Sequence, residues 1–187
     1  IIEINVEEKP TGEISAGAGI GTTGGSFAFA VKENNWLGKG IELSTSLNVS
    51  AESFTGEFSV NNPNYNFTGN SLNYFVSNTS NDKPDSGFKN NIISTGIGTR
   101  FEQYKDIYLS PGLAFSYDDL QVESSASDNL KKQKGSFTDL AFNYGISADK
   151  RDRVYAPTEG YYSGFSQVIP LYADAPYLKN SYTFSKY

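Results

Sequence analysis

Three groups of residues have the types and spacing to do chemistry. Gly19-x-Gly21-x-x-Gly24 matches the G-x-G-x-x-G fingerprint of dinucleotide sites. Such a site needs a helix N-terminus after the turn to hold the pyrophosphate. Ser26 to Val31 instead alternates as a strand, so the glycines read as a hairpin turn. Asp118 and Asp119, with Glu123 nearby, are paired carboxylates of the kind used in acid–base work or calcium binding. No EF-hand spacing surrounds them, and they read as solvated acids at a loop mouth. Asp149-Lys150-Arg151-Asp152-Arg153 concentrates charge, but a short turn rarely supplies a buried, convergent geometry. It reads as a solvated turn.

Composition narrows the chemistry further. The 187 residues include no Cys, no His and no Met, but 13 Tyr, 13 Phe and 18 Gly. Thiolate or imidazole metal sites, haem ligation and iron–sulfur clusters are therefore excluded from this sequence. So are a Ser-His-Asp triad and any His general base. No enzyme, cofactor or metal is expected. Fifteen Lys and Arg against 21 Asp and Glu leave a net charge of −6, which disfavours nucleic acid as a partner. No apolar run approaches the ~20 residues of a membrane helix.

The elements that would position any site have period two. From Ile41 to Ser50, Ile41, Leu43, Thr45, Leu47 and Val49 share one face, while Glu42, Ser44, Ser46, Asn48 and Ser50 share the other. Gly25–Lys32, Ile107–Ser116 and Asp139–Ser147 divide in the same way. Clusters of Gly, Asn, Asp and Pro separate the runs. The pattern predicts ten strands, at 12–21, 25–34, 40–51, 53–61, 69–79, 88–102, 106–119, 135–148, 160–171 and 177–187, and no helix. A short strand-like segment, Ile1 to Val6, precedes them.

Strands this long, with small hydrophilic residues on the polar face, favour an antiparallel up-and-down transmembrane β-barrel over a soluble sandwich. Connections at 34–40, 61–68, 103–105 and 149–159 read as short periplasmic turns, and those at 79–88 and 120–134 as long outer loops. Trp36, Tyr65, Phe67, Phe101 and Tyr104 would form an aromatic girdle on the short-turn side. The soluble alternative, a sandwich or lipocalin-like sugar-binding domain, has the same alternation.

The turns carry a resemblance. Glu33-Asn34-Asn35-Trp36-Leu37-Gly38-Lys39-Gly40 resembles the "NNWLGTG" turn between the second and third barrel strands of the BamA family, the bacterial outer-membrane protein assembly factors. Thr11-Gly12 to Gly21-Thr22 resembles that family's first barrel strand. Ser59 to Tyr65, with Asn61 and Pro63, is similar to its "TNPYF" segment. Asp152-Arg153-Val154-Tyr155-Ala156-Pro157-Thr158-Glu159-Gly160 resembles its "LDRGYFPTDG" turn. The four matches occur in the family's order and cover nearly the whole chain.

The resemblance implies residues 1–9 as the end of a preceding POTRA domain. Residues 10–187 would be the N-terminal part of an outer-membrane barrel, about ten strands of a sixteen-stranded whole. The family's R-G-F segment is absent, so either more chain follows Tyr187 or another chain completes the sheet. The family's R-G-F arginine would find partners in Asp139 or Asp152. The implied function is folding and insertion of β-barrel proteins in the outer membrane of a Gram-negative bacterium. Client strands would pair with the edge carrying Thr11, Gly12, Glu13, Ser15, Gly17, Gly19 and Gly21. Nascent barrel proteins, accessory assembly lipoproteins and the bilayer are the implied partners. A TamA-like factor, a two-partner-secretion transporter and a passive porin or adhesin are the alternatives.

Overall fold

A computed structural model describes residue 7, residues 9–21 and residues 24–187. The strand expected over Ile1–Val6, and most of the POTRA segment, lie outside the described residues. The described residues form eleven strands of one antiparallel sheet. They are β1 (Gly12–Gly21), β2 (Gly24–Trp36), β3 (Ile41–Ser50), β4 (Ser53–Tyr65), β5 (Asn70–Lys83), β6 (Phe88–Tyr104), β7 (Ile107–Leu109), β8 (Gly112–Val122), β9 (Gly135–Asp149), β10 (Tyr161–Ala173) and β11 (Lys179–Lys186). β7 and β8 lie end to end between β6 and β9, with unchanged register on both sides of Ser110-Pro111. The sheet is therefore an up-and-down meander of ten traverses, as the alternation predicts.

Cross-strand partners share a face. Ile14, Ala16 and Ala18 stand opposite Val31, Phe29 and Phe27, and these opposite Thr45, Leu47 and Val49. The stripe runs on through Tyr74 and Ile97, Leu113 and Phe142, and Ile146 and Phe165 to Tyr182. The other face carries small polar groups, such as the Ser44 and Ser59 hydroxyls 2.6 Å apart. Among the described residues nothing covers the apolar face. Among the described residues only Ala126 and Ala141 form a buried apolar core. A single layer with an uncovered apolar face is stable against an apolar solvent, not against water. Among the described residues no helix is long and apolar enough to cross a membrane, which says nothing of strands.

Four connections lie at one rim, at 37–40, 66–69, 105–106 and 150–160. The opposite rim carries 51–52, 84–87, 123–134 and 174–178. The expected length asymmetry is weaker than the sequence implies. The loop expected at 79–88 shrinks to 84–87, because its Asn and Asp residues pair across the ladder instead of turning. Lys83 pairs with Phe88, and Asn81 Nδ2 donates to Asn90 Oδ1 at 3.1 Å. Asp118 and Asp119 likewise lie within β8, not in a loop. The 123–134 loop holds a four-residue helix α1 (Asp128–Lys131), capped by the Ser127 hydroxyl, and Pro84–Ser86 is a single 3-10 turn. Sequence reading sees neither, since neither is long enough to repeat an amphipathic pattern.

The ladders shift register four times, between Glu33 and Trp36, Asn62 and Tyr65, Glu102 and Tyr104, and Pro170 and Tyr172. Each bulge places an aromatic residue opposite a partner on the apolar face: Trp36 on Ile41, Tyr65 on Asn70, Tyr104 on Ile107, Tyr172 on Leu140. Trp36, Tyr65, Phe101 and Tyr104, four of the five residues expected in the girdle, thus lie on the apolar face near this rim, while Phe67 lies in the 66–69 connection. Among the described residues five non-glycine residues have positive φ: Leu37, Asn66, Phe67, Asp106 and Ala156. All five sit in the connections of that same rim. For residues other than Gly, Asn and Asp this conformation costs about 1–2 kcal/mol.

Candidate functional site

β1 is exposed along its whole length and pairs with β2 alone among the described residues. The backbone geometry of its free edge follows from one hydrogen bond. Asn34 N–H donates to the Thr11 carbonyl at 3.3 Å, in the register that pairs Gly12 with Glu33. Thr11 and Asn34 are therefore a hydrogen-bonded pair. Alternation then directs the N–H and C=O of Glu13, Ser15, Gly17 and Gly19 into β2. The groups of Gly12, Ile14, Ala16, Ala18 and Ile20 point away from the sheet. At the far edge the Tyr187 N–H donates to the Gly160 carbonyl at 3.0 Å. By the same alternation the outward groups of β11 belong to Asn180, Tyr182, Phe184 and Lys186. At both edges the residue with free backbone groups sends its side chain to the apolar face.

Gly17, Gly19 and Gly21 of β1 lie on the polar face and are not required by packing. A Cβ built on Gly17 or Gly21 meets nothing within 4 Å, and one on Gly19 meets only the Ser26 hydroxyl oxygen. Close approach does not explain them. They lower the strand's own propensity and keep its polar side bare. β1 is instead fixed at its start. The Thr11 hydroxyl donates to Glu33 Oε1, the Asn34 side-chain amide donates to the Thr11 carbonyl at 2.9 Å, and the Asn35 N–H donates to Glu33 Oε1 at 2.7 Å. This clamp uses Asn34 and Asn35, so the turn residues resembling the family also hold the edge strand in register.

The turn residues repeat one device. Asn35 Oδ1 accepts the Gly40 N–H at 2.6 Å, and Asn64 Oδ1 accepts the Gly69 N–H at 2.8 Å. The backbone closes the same way in both, Gly38 N–H to Asn35 O and Phe67 N–H to Asn64 O. Leu37 and Gly38 both have positive φ, and Lys39 N–H donates to the Trp36 carbonyl. That is the geometry of a primed hairpin turn, with Leu37 where Asn or Gly is usual. Asn61 and Pro63, expected in a turn, lie inside β4. Pro63 falls in the Asn62/Tyr65 bulge, where its missing N–H breaks no ladder bond.

The 150–160 turn is closed by its own hydrogen bonds. Asp152 Oδ1 accepts the Thr158 and Glu159 N–H groups at 2.9 and 3.2 Å, and Oδ2 accepts the Thr158 hydroxyl at 2.9 Å. The Thr158 N–H bond first, then the hydroxyl and the Glu159 N–H, holds the Asp152 carboxyl below its ordinary value. Arg153 Nε donates to the Ala156 carbonyl at 2.8 Å, and Pro157 sits between these bonds. Asp152 is thus committed within its turn. Asp139 is different: it lies on the polar face of β9, opposite Ser116 and Ala173, with Oδ1 buried and unpartnered. The preceding charges are less solvated than the sequence suggests. Arg151 grips Asp149 through two bonds of 2.7 and 2.6 Å, with both side chains about four-fifths covered. Its guanidinium lies 5.4 Å from the Tyr162 ring centre, and that of Arg100 lies 4.5 Å from Tyr108.

No dinucleotide site forms, since β2 follows Gly24 where a helix would be needed. Among the described residues no group of three acids converges on a metal position. The described residues offer an uncovered apolar face, a polar face and two free strand edges, on β1 and β11. Residues 35–187 match the Omp85 superfamily domain. The chain belongs to the Omp85 superfamily. This Omp85 chain is 26% identical over 165 residues to the outer membrane protein assembly factor BamA of Neorickettsia risticii (strain Illinois), covering 86% of this chain and 22% of that protein. It therefore spans about a fifth of that relative's length. The crystal structure of BamA from Haemophilus ducreyi lacking POTRA domains 1-3 superposes with a TM-score of 0.74 at 21% identity, over 96% of this chain and 38% of that one. That likeness establishes the barrel fold of the Omp85 sheet.

Sequence reasoning places Leu37, Gly38, Asp152, Arg153, Pro157 and Gly160 in connections, where they lie, but Asn34, Asn35 and Trp36, expected in a turn, are the last residues of β2, as Asn61 and Pro63 are residues of β4. It misses Ile14, Ala16, Ala18 and Ile20 as the residues with outward backbone groups. Their side chains look like ordinary apolar-face residues, and hydrogen-bond parity leaves no mark on composition.

Proposed function

We propose that this chain is the N-terminal part of the barrel of an outer-membrane protein assembly factor. It folds and inserts β-barrel proteins by pairing their strands with its β1 edge. The chemistry is non-covalent. An incoming strand docks by β-augmentation, and its N–H and C=O groups meet those of Ile14, Ala16, Ala18 and Ile20. In hydrocarbon an unsatisfied backbone group costs several kcal/mol, so a strand that arrives already paired avoids that penalty. Each added hairpin then presents the next edge. The free energy comes from client folding, and no nucleotide is involved. Nascent barrel proteins are the clients, the outer membrane of a Gram-negative bacterium is the location, and assembly lipoproteins are accessory partners.

The observation that carries this reading is the orientation of β1: a fully exposed strand whose outward backbone groups belong to its apolar-facing residues. The kinship with the Omp85 superfamily supports it.

Proline substitution separates the two backbone sets. Ala16→Pro or Ala18→Pro removes an outward N–H and leaves the β1–β2 ladder bonds intact, as edge strands tolerate. Ser15→Pro or Gly17→Pro removes a β1–β2 bond. In vesicles carrying the full-length protein, the Ala variants should keep the barrel folded and reduce client insertion several-fold. The Ser15 and Gly17 variants should instead loosen β1, seen as faster amide exchange at Ala28 and Ala30. Unchanged client insertion by folded Ala16→Pro and Ala18→Pro would refute the edge mechanism.

A further inference from the structure

The rim that carries the four left-handed connections has a property that strand pairing does not use. Leu37 and Phe67 are held at positive φ with their side chains 72% and 95% exposed. Val154 and Tyr155, beside Ala156 at positive φ, are 77% and 90% exposed. The backbones of Leu37, Phe67 and Ala156 are strained, and the exposed Leu37 and Phe67 side chains gain little packing to offset the strain. The turns themselves are well fixed by the Asn35–Gly40, Asn64–Gly69 and Asp152–Thr158 hydrogen bonds, so the tips are held out, not merely loose. Asn or Gly would relieve the strain at the same positions.

Two features say what the tips meet. The first is continuity: Trp36 and Tyr65, on the apolar face, lie one and two residues before Leu37 and Phe67. The second is charge. Lys39, Lys105 and Lys150 lie in these connections and enter no ion pair among the described residues. The described connections of this rim carry Lys39, Lys105, Lys150, Arg151 and Arg153 against Asp106, Asp152 and Glu159, whereas those of the opposite rim carry Glu52, Asp85, Glu123, Asp128 and Asp174 against Lys131, Lys132 and Lys134. Apolar tips beside unpaired lysines, continuous with an aromatic belt, fit the headgroup layer of an anionic phospholipid leaflet.

We propose that Leu37, Phe67 and the Val154–Tyr155 pair are membrane-interface anchors that seat this rim in an anionic phospholipid surface. The bilayer is the partner that offsets the strain of the left-handed turns. This rests on the barrel spanning a bilayer, as the function above requires.

The test uses the full-length protein in phosphatidylcholine vesicles with and without phosphatidylglycerol. Thr68→Cys, in a chain region free of other cysteines, carries a polarity-sensitive fluorophore. Headgroup-spin-labelled lipid should quench it several-fold more than aqueous iodide, and phosphatidylglycerol should widen that ratio. Leu37→Asn and Phe67→Asn, which suit positive φ, should keep the strands protected from protease and reverse the ratio. Phe67→Trp should restore it. Free access of iodide in a protease-protected barrel overturns the proposal. Shielding from both quenchers overturns it in favour of a covering protein surface, and loss of the fold in the Asn variants overturns it in favour of a packing role. If the unsubstituted protein shows no protease protection in either vesicle, the membrane-spanning reading itself fails.

Discussion

The Phe75 ring on β5 occupies the space where Gly96 of β6 lacks a side chain. The two are direct cross-strand partners, and a Cβ on Gly96 would stand 2.5 Å from Phe75 Cε1 and 3.0 Å from the Leu113 carbonyl oxygen. An aromatic on an otherwise small, polar face is thereby accounted for: it covers the backbone that a glycine bares. Gly96→Ala should cost about 1–3 kcal/mol by overpacking. Combining it with Phe75→Ala should cost less than the sum of the two single changes. Urea unfolding of the reconstituted protein measures both, and strict additivity would show that the ring does not depend on the glycine.

Gly160 closes the long turn under a tighter constraint. Its φ is +97°, and a Cβ would lie 2.0 Å from the Lys150 carbonyl oxygen, a backbone atom that cannot swing aside. Gly160→Ala should destabilise by about 2–4 kcal/mol, through strain and lost closure of the turn. A lowered denaturation midpoint is the readout, and a loss below 0.5 kcal/mol, the range of ordinary surface changes, would contradict the geometry.

Asp152 gives that turn a pH dependence. Hydrogen bonds from Thr158 and Glu159 depress its folded value. Its contribution is therefore fully present above the ordinary carboxylate value of about 3.9, and is lost as pH falls through the lower folded value. Amide exchange at Thr158 and Glu159 should accelerate in acid below that window. Asp152→Asn should leave the same two amides less protected at neutral pH and flatten the acid response. Identical pH profiles in the two proteins would remove Asp152 from the account.

Trp36 should anchor the girdle. It is 47% exposed at the end of β2 and is the one tryptophan of the 187 residues. Trp36→Ala should weaken the barrel in bilayers by about 1–2 kcal/mol, the scale of partial burial of a large apolar group. The same change should weaken it less in short-chain detergent, which has no fixed interface. Equal losses in both media would assign Trp36 to internal packing.

Gly17→Val tests why β1 carries glycines. Nothing within 4 Å obstructs a side chain there, so the variant should fold with a stiffer edge. Slower client insertion without loss of stability is the expected result. A destabilised barrel would show that the glycine serves the fold.

The sequence by itself determined the class and the count of traverses. Alternation such as Leu43, Thr45 and Leu47 against Ser44 and Ser46 can satisfy only a strand with one apolar face. The Gly, Asn and Pro clusters can only interrupt it. It also determined the closure of two turns, because Asn35-to-Gly40 and Asn64-to-Gly69 are local hydrogen bonds written within six residues. Tertiary structure decided what depends on a neighbour. Asn81 and Asp82 look like loop residues until β6 supplies Asn90 and Lys89 as partners. Strict period two would send Trp36, Tyr65, Tyr104 and Tyr172 to the polar face, and only the register shift against the adjoining strand turns them to the apolar one. The free groups of the edge belong to Ile14 and Ala16 rather than Ser15 and Gly17 for the same reason. Which backbone groups a strand keeps is set by the partner it pairs with, and the chain's own residues do not encode that parity locally.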